Sequence, residues 1–289
     1  MKTVISASRR TDIPAYYLDW FMDVLRRGSV NVANPVFRHK TIQVDLSPET
    51  VEWIVFWSRN YAHFLKEYPF FDQFQLYFHF TILSHHPRLE RTALPLTQAL
   101  RQIEHLTKLY GPQRIIWRYD PIVIWIDNNE LCSNFRQNEF ADLCKNMSLS
   151  GIQRCYFSFA GIYRKYQRRI KKKYPTWQLN DARIEAEKAR ILLNIKEISN
   201  KYAVKLYACC NDALINGDIL KGRCISGPEL NNLGSAHKVS EAKAPSRPEC
   251  GCTRSIDIGD YLNHPCYGGC IYCYANPVWD TPKFKHPDT

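Results

Sequence analysis

The sequence predicts an α/β fold: a partial (βα)6 TIM-like barrel at residues 1–210, followed by a cysteine-rich, metal-binding appendage at residues 211–289. Three observations support this prediction. Six short apolar runs of strand character occur before Cys210, and amphipathic helical patterns separate many of them. Polar residues follow several of these runs, where parallel barrels place their chemistry. After Cys210 the chain becomes rich in Gly, Pro, Ser and Asn and loses its periodicity.

The predicted elements alternate along the chain. The strands are expected at residues 4–8, 54–57, 76–82, 114–117, 154–159 and 204–209. The helices are expected at residues 16–27, 95–109, 138–147 and 182–202. Pro14 opens the first helix and Gly28 stops it. This alternation favours βα units and a mainly parallel sheet.

Composition limits the class of protein. The N-terminal apolar run is too short for a signal peptide, and no stretch reaches membrane-spanning length, so we expect a cytoplasmic globular protein without a membrane partner. Eleven cysteines in such a chain favour metal binding over disulfides. Cys132, Cys144 and Cys155 stand singly in apolar or amphipathic stretches, where small buried hydrophobes are expected.

The most specific motif is the C-x3-C-x2-C spacing of Cys266, Cys270 and Cys273. Three thiolates in a tight loop can bind three irons of a four-iron four-sulfur cluster and leave the fourth iron open. Gly268 and Gly269 let the backbone turn without steric cost. Structural zinc, with His264 or another cysteine as fourth ligand, is the alternative.

A second group of cysteines predicts a possible second metal site, of zinc or iron-sulfur type. Cys250 and Cys252 form a compact C-x-C pair, and Cys224 with one or both of Cys209 and Cys210 could complete four ligands. Buried unligated thiols are the alternative, because the gaps between these residues match no recognised ligand spacing.

The polar residues at the predicted strand ends are the candidate catalytic residues. We expect the arginines to hold anionic groups, and Asp12 or Asp120 to handle a proton or orient an arginine. Helix capping and surface ion pairs are the alternative roles. The candidates are Arg9, Arg10, Asp12, Arg59, His79, Arg118 and Asp120.

Positive charge favours polyanionic partners. The formal net charge is +11, and seven of the ten residues from 164 to 173 are Arg or Lys. Tyr166 and Ile170 fall at helical spacing within this basic run, which indicates a helix with one apolar stripe. Its charged face either binds phosphates or is simply solvated.

At Cys266, Cys270, Tyr272 and Cys273 the chain resembles the radical S-adenosylmethionine superfamily, and residues 269–274 resemble its spore photoproduct lyase branch. The resemblance implies that the three cysteines hold a 4Fe-4S cluster whose open iron chelates S-adenosylmethionine, with Tyr272 near the adenine. In the superfamily this loop follows the first barrel strand, whereas here 16 residues follow Cys273. The other cofactor contacts are then expected from residues earlier in the chain.

Over nearly its whole length the chain resembles a bacterial family of unknown function that is described by a similar cysteine cluster. The resemblance is carried by the terminal cysteines and by SASRRTDIPA at residues 6–15, WRYDP at 117–121 and YRK at 163–165. Together these observations predict a radical S-adenosylmethionine-like enzyme that acts on a small-molecule or nucleic-acid substrate and needs an electron donor. The alternative is a non-catalytic iron-sulfur or zinc protein that binds nucleic acid.

Overall fold

The computed structural model describes residues 1–33, 40–92 and 94–279. Within these ranges the strands are β1 (Thr3–Ala7), β2 (Ser29–Ala33), β3 (Thr41–Asp45), β4 (Val51–Ser58), β5 (Gln75–Thr81), β6 (Ile115–Ile122), β7 (Ile124–Asp127), β8 (Glu130–Ser133), β9 (Arg154–Phe159), β10 (Lys205–Ala208), β11 (Ile219–Lys221) and β12 (Ile256–Asp257). The α-helices are α1 (Ile13–Tyr16), α2 (Leu18–Arg26), α3 (Ala62–Glu67), α4 (Leu96–Tyr110), α5 (Gln137–Leu149), α6 (Arg164–Lys173), α7 (Ala182–Lys201) and α8 (Gly227–Asn232). Short 3-10 helices span Tyr68–Phe71, Pro112–Arg114 and Asp212–Leu214.

One parallel sheet organises the molecule. In the described ranges it contains eight strands in the order β12-β1-β4-β5-β6-β9-β10-β11, and every neighbouring pair is parallel. From β1 to β11 the spatial order follows the chain order, as expected for successive βα units. The structure therefore confirms an α/β fold with a large parallel sheet. The outer strands β11 and β12 do not pair with each other in the described part of the chain, so a closed barrel is not formed there.

Both faces of the sheet are covered, which explains why its central strands are almost continuously apolar. Along β4, Ile54 and Phe56 belong to one core, which the helices complete. Trp53 and Val55 alternate with them and belong to a second core. The second core is completed by side chains from the region after Cys210, including Cys224, Ile225, Leu230, Cys250 and Cys252.

The region after Cys210 also supplies both edges of the sheet, since β11 pairs with β10 and β12 pairs with β1. The predicted boundary between residues 210 and 211 lies in the segment that connects β10 to β11, two paired strands of this sheet. Residues 280–289, the end of the predicted C-terminal region, lie outside the described residues. No helix in the described ranges is both long and apolar enough to cross a membrane.

The first predicted helix differs from the observed one, because residues 16–27 do not form a single helix. Asp12 caps α1, and the chain leaves helical geometry at Tyr17, whose φ is −138°. The Tyr17 hydroxyl donates a hydrogen bond of 2.7 Å to the carbonyl oxygen of Pro265. This contact with the C-terminal region accompanies the break between α1 and α2. Gly28 follows α2 at φ +71°, as its predicted stop requires.

Candidate active site and thiol clusters

A cavity of about 1210 Å³ lies at the carboxyl ends of the parallel strands. It is lined by residues of β6 and by residues at and after the carboxyl ends of β1, β4, β5, β9, β10 and β11, together with the C-terminal loop. Parallel α/β sheets bind their ligands at this edge. The cavity exceeds the roughly 300–1,000 Å³ typical of small-molecule sites, so it has room for a cofactor and a substrate together.

Most of the predicted site residues meet in this cavity. All eight cysteines from Cys209 onward line it. So do Arg9, Arg10, Asp12, Arg59, Arg118, Asp120 and Tyr272. His79 does not. It is fully buried, its Nε2 lies 2.7 Å from the carbonyl oxygen of Cys224, and its ring stacks on Trp57. Its position supports the Cys224 segment.

The terminal loop brings Cys266, Cys270 and Cys273 to the cavity wall. A side chain at Gly268 would lie 3.6 Å from the sulfur of Cys266 and 3.8 Å from that of Cys270, so glycine leaves the space beside these two thiols open. Gly269 has φ +64°, and a Cβ there would come within 2.7 Å of Arg91. The predicted role of glycine in turning the backbone is therefore met at Gly269.

Burial raises the pKa of all three thiols of the loop, that of Cys270 to about 12. The guanidinium of Arg59 opposes this rise at Cys270, and that of Arg169 does so at Cys273. Thiols must lose their protons to bind metal. These two cations therefore favour the form that a metal ion requires.

Arg169 of α6 holds the backbone of the terminal loop in place. Its guanidinium is buried and donates to the carbonyl oxygens of Ile271 at 2.9 Å, Cys273 at 2.5 Å and Ala275 at 2.9 Å. The basic run at residues 164–173 predicts a polyanion-binding face that includes Arg169 and does not reveal this role. The available signal was its helical spacing, since Arg169 shares the buried stripe of Tyr166 and Ile170.

Arg59 and Tyr272 meet through Glu90, a residue that sequence reasoning did not single out. Arg59 donates to the two carboxylate oxygens of Glu90 at 2.8 and 3.0 Å, and to the Tyr272 hydroxyl at 2.7 Å. The Tyr272 hydroxyl in turn donates to Glu90. This network fixes the aromatic residue that precedes Cys273.

Asp12 links the first strand to the second βα unit. Its carboxylate accepts hydrogen bonds from the backbone N–H groups of Ala15 at 3.1 Å and Arg59 at 3.0 Å. Burial raises its pKa to about 6, although these hydrogen bonds oppose the shift. A carboxyl group with a pKa near neutrality in a cavity suits proton transfer.

Asp257 on β12 organises the predicted Arg9 and Arg10 pair. Its carboxylate accepts from the hydroxyls of Ser6 at 2.7 Å and Ser8 at 2.6 Å, and from the Arg9 backbone N–H at 2.8 Å. Both guanidinium groups lie 3.7 Å from it. Because one carboxylate serves two arginines, these three side chains together carry a net positive charge.

Arg118 connects the second cysteine group to Asp120. It donates to the sulfur of Cys224 at 3.1 Å, approaches that of Cys209 at 3.7 Å, and pairs with Asp120. Asp120 also accepts from the Ser158 hydroxyl. The WRYDP segment therefore places a cation against thiols and a carboxylate beside it.

As the chain stands, no group of three or more His, Cys, Asp or Glu side chains in the described residues is arranged to hold a single metal ion. The thiolate ligands of a four-iron cluster bind different irons, so a loop that presents them need not converge on one ion position. The donor set of the terminal loop, three sulfurs beside an open glycine, is compatible with such a cluster.

Fold and site together define a parallel α/β protein with a cysteine-lined cavity at the carboxyl ends of its strands. The family described as a domain of unknown function, DUF1848, matches residues 4–275, and the chain belongs to it. The predicted resemblance to a family of unknown function is thereby confirmed. No curated protein and no solved structure matches the chain.

Proposed function

We propose that this protein is a radical S-adenosylmethionine-like enzyme whose 4Fe-4S cluster is held by Cys266, Cys270 and Cys273. The observation that carries the proposal is that these three thiols share one cavity with arginine and aspartate side chains at the strand ends. When bound, such a cluster supplies the electron that cleaves S-adenosylmethionine reductively. The electron donor is a separate partner.

The late position of the cysteine loop in the sequence agrees with this proposal, because the loop packs beside the end of β1. Tyr17, shortly after β1, donates to the carbonyl oxygen of Pro265, and Tyr274 donates to that of Arg9. We therefore propose that the sheet is a partial (βα)6 TIM-like barrel in which the C-terminal loop takes the place that the superfamily gives to the loop after its first strand.

The residues around the loop each have a proposed role. Arg169 holds the loop backbone, and the Glu90–Arg59 pair fixes Tyr272 at the cavity wall, where its ring is available to an adenine. Asp12, with its raised pKa, holds or transfers a proton. These roles need no movement of the sheet, since each group is already hydrogen-bonded in place.

The substrate that suits the cavity carries negative charge. Arg9 and Arg10 share one carboxylate, and both line the cavity. Guanidinium groups bind carboxylates and phosphates in two-point contacts. A small anionic molecule and a phosphate-bearing nucleic acid both fit this chemistry.

A second candidate function is a non-catalytic iron-sulfur or zinc protein that binds nucleic acid. It is favoured by α6, which buries Tyr166, Arg169 and Ile170. The remaining cations of this described helix are exposed: Arg164, Lys165, Arg168, Lys171, Lys172 and Lys173. Such a face can release counterions from a nucleic-acid backbone.

The two functions are separated by the fate of S-adenosylmethionine. Reduced, cluster-loaded protein is expected to cleave S-adenosylmethionine and release 5′-deoxyadenosine. Addition of this cofactor is also expected to change the electron paramagnetic resonance spectrum of the cluster. The variant Cys266→Ala/Cys270→Ala/Cys273→Ala is the control and is expected to do neither. An unchanged spectrum at saturating cofactor, without cleavage product, would rule out the enzyme and leave the binding protein.

A further inference from the structure

The second cysteine group forms a closed ring of neighbouring thiols. The Cys209 and Cys224 sulfurs lie 3.6 Å apart. Around the ring, Cys209 interacts with Cys210, Cys210 with Cys250, Cys250 with Cys252, and Cys252 with Cys224. We call these five residues the thiol ring.

Three separate chain segments converge to build the thiol ring. Cys209 and Cys210 follow β10, and Cys210 has φ +50°, a left-handed conformation that disfavours a non-glycine residue. Cys224 follows β11. Cys250 and Cys252 lie on a segment that is joined to the Cys224 segment where Thr253 donates its backbone N–H to the Ile225 carbonyl oxygen at 2.9 Å.

Cations surround the thiol ring. Arg118 donates to the Cys224 sulfur at 3.1 Å. Arg9 interacts electrostatically with Cys224 and Cys252, and Arg247 does so with Cys209 and Cys210. Cysteines that serve as small hydrophobes need no such partners, whereas guanidinium groups stabilise thiolates.

We propose that the thiol ring is a second metal centre, separate from the terminal loop, in which four of the five sulfurs bind zinc or an iron-sulfur cluster. An all-sulfur donor set selects these metals over magnesium or calcium. Two thiolates on one tetrahedral zinc lie ~3.8 Å apart, given a Zn–S bond of about 2.3 Å, and the Cys209–Cys224 separation of 3.6 Å is close to this value.

Binding of one metal ion would require the thiol side chains to rotate, because no three of these described thiols are already placed as ligands of one ion. The bound metal would tie β10, β11 and the Cys250 segment together, where the periodicity of the sequence is weak. It would also fix Arg118, and through it Asp120, at the cavity wall. The inference does not depend on the proposed enzymatic function.

The test is metal and sulfide content per chain in anaerobically purified, full-length protein. The Cys266→Ala/Cys270→Ala/Cys273→Ala variant keeps the thiol ring and is expected to retain about one zinc, or about four irons with sulfide. Cys250→Ala/Cys252→Ala is expected to lose that same metal and keep the iron of the terminal loop. Cys132→Ala, which removes a lone thiol, is the matched control and is expected to lose nothing.

Native mass spectrometry of the unmodified protein keeps the test valid if a variant fails to fold. A mass increment beyond that of one four-iron cluster supports a second centre. The size of this increment distinguishes zinc from an iron-sulfur cluster. If the unmodified protein carries one cluster alone and the triple variant carries no metal, the thiol ring is not a metal centre. If instead the triple variant keeps all the metal of the unmodified protein, the terminal cluster is refuted while the thiol ring stands.

Discussion

At the scale of single residues, Arg169 is the most informative side chain. A buried guanidinium that donates to three carbonyl oxygens holds the terminal loop in one conformation. Hydrogen bonds to a charged group contribute about 1.5–3 kcal/mol each when measured singly. The loop's shape therefore depends on a residue about a hundred positions earlier in the chain.

Replacement of Arg169 by Ala is expected to lower the free energy of unfolding by about 3 kcal/mol and to speed the loss of iron to a chelator. The physical reason is that three carbonyl oxygens lose their donor. Denaturant unfolding and the rate of iron release are the measurements. Arg168→Ala, at an exposed neighbouring position of α6, is the control, and equal behaviour of the two variants would show that Arg169 does not hold the loop.

Asp12 gives a prediction about pH. Burial raises its pKa from 3.8 to about 6, so the folded protein binds this proton more tightly than the unfolded chain does. Its contribution to stability is complete below pH 3.8 and is lost as the pH rises through 6. In metal-free protein, Asp12→Asn removes this titration while keeping an N-cap side chain.

The Asp12→Asn variant is therefore expected to gain stability relative to the original protein as the pH rises from about 4 to 7, by up to ~3 kcal/mol at about 1.4 kcal/mol per pKa unit. Urea unfolding at several pH values measures the difference. A stability difference that does not change with pH would mean that the Asp12 carboxyl titrates normally.

At the scale of elements, α6 combines two roles. Its buried stripe holds the terminal loop, and its exposed cations face solvent. The sequence predicted the helix and its apolar stripe correctly because Tyr166 and Ile170 show helical spacing. It does not reveal the role of Arg169, because the carbonyl oxygens that accept its hydrogen bonds belong to a loop about a hundred residues later in the chain.

The variant Arg164→Glu/Arg168→Glu/Lys171→Glu is expected to weaken nucleic-acid binding and to flatten its salt dependence. Each lost phosphate contact reduces the slope of log affinity against log salt by about 0.9 for duplex DNA. Fluorescence anisotropy over a salt series measures both quantities. Lys145→Glu/Lys201→Glu/Lys238→Glu makes the same change in net charge at other exposed positions, and equal slopes in the two variants would show that α6 is only a solvated face.

The strands and helices differ in how well the sequence predicted them. The buried strands β4, β5 and β9 were recognisable from continuous apolar runs. The two-residue β12 and the three-residue β11 were missed, because pairing with β1 and β10 defines them and local sequence does not. The break at Tyr17 was missed for a related reason. The Tyr17 hydroxyl donates a hydrogen bond to the carbonyl oxygen of Pro265, which lies far away in the sequence.

At the scale of the whole molecule, the C-terminal region completes both the sheet and the cavity. β12 places Asp257 beside the Arg9 and Arg10 pair, and the terminal loop lines the cavity. The cysteine spacing and the polar strand ends predicted which residues would meet. The roles of Glu90 and Asp257 were not predicted. Their arginine partners lie far from them in the sequence and meet them only in the folded chain.

Asp257→Asn is expected to destabilise the protein by about 3 kcal/mol, because it leaves two arginines without their shared buried carboxylate. Denaturant unfolding measures the loss. Asp218→Asn removes an exposed partner of Lys196 and is expected to cost less than about 1 kcal/mol. Similar losses in both variants would contradict the organising role of Asp257.

The proposed function requires that Cys266, Cys270 and Cys273 hold a four-iron cluster with one open iron. Mössbauer spectroscopy of iron-57-loaded Cys250→Ala/Cys252→Ala protein, recorded with and without S-adenosylmethionine, tests it most directly, because this variant isolates the terminal loop. We predict about four irons per chain in a cubane, with the signal of one iron changed by the cofactor. A variant that binds no iron, or whose iron persists when the three terminal cysteines are also replaced by alanine, would contradict the claim.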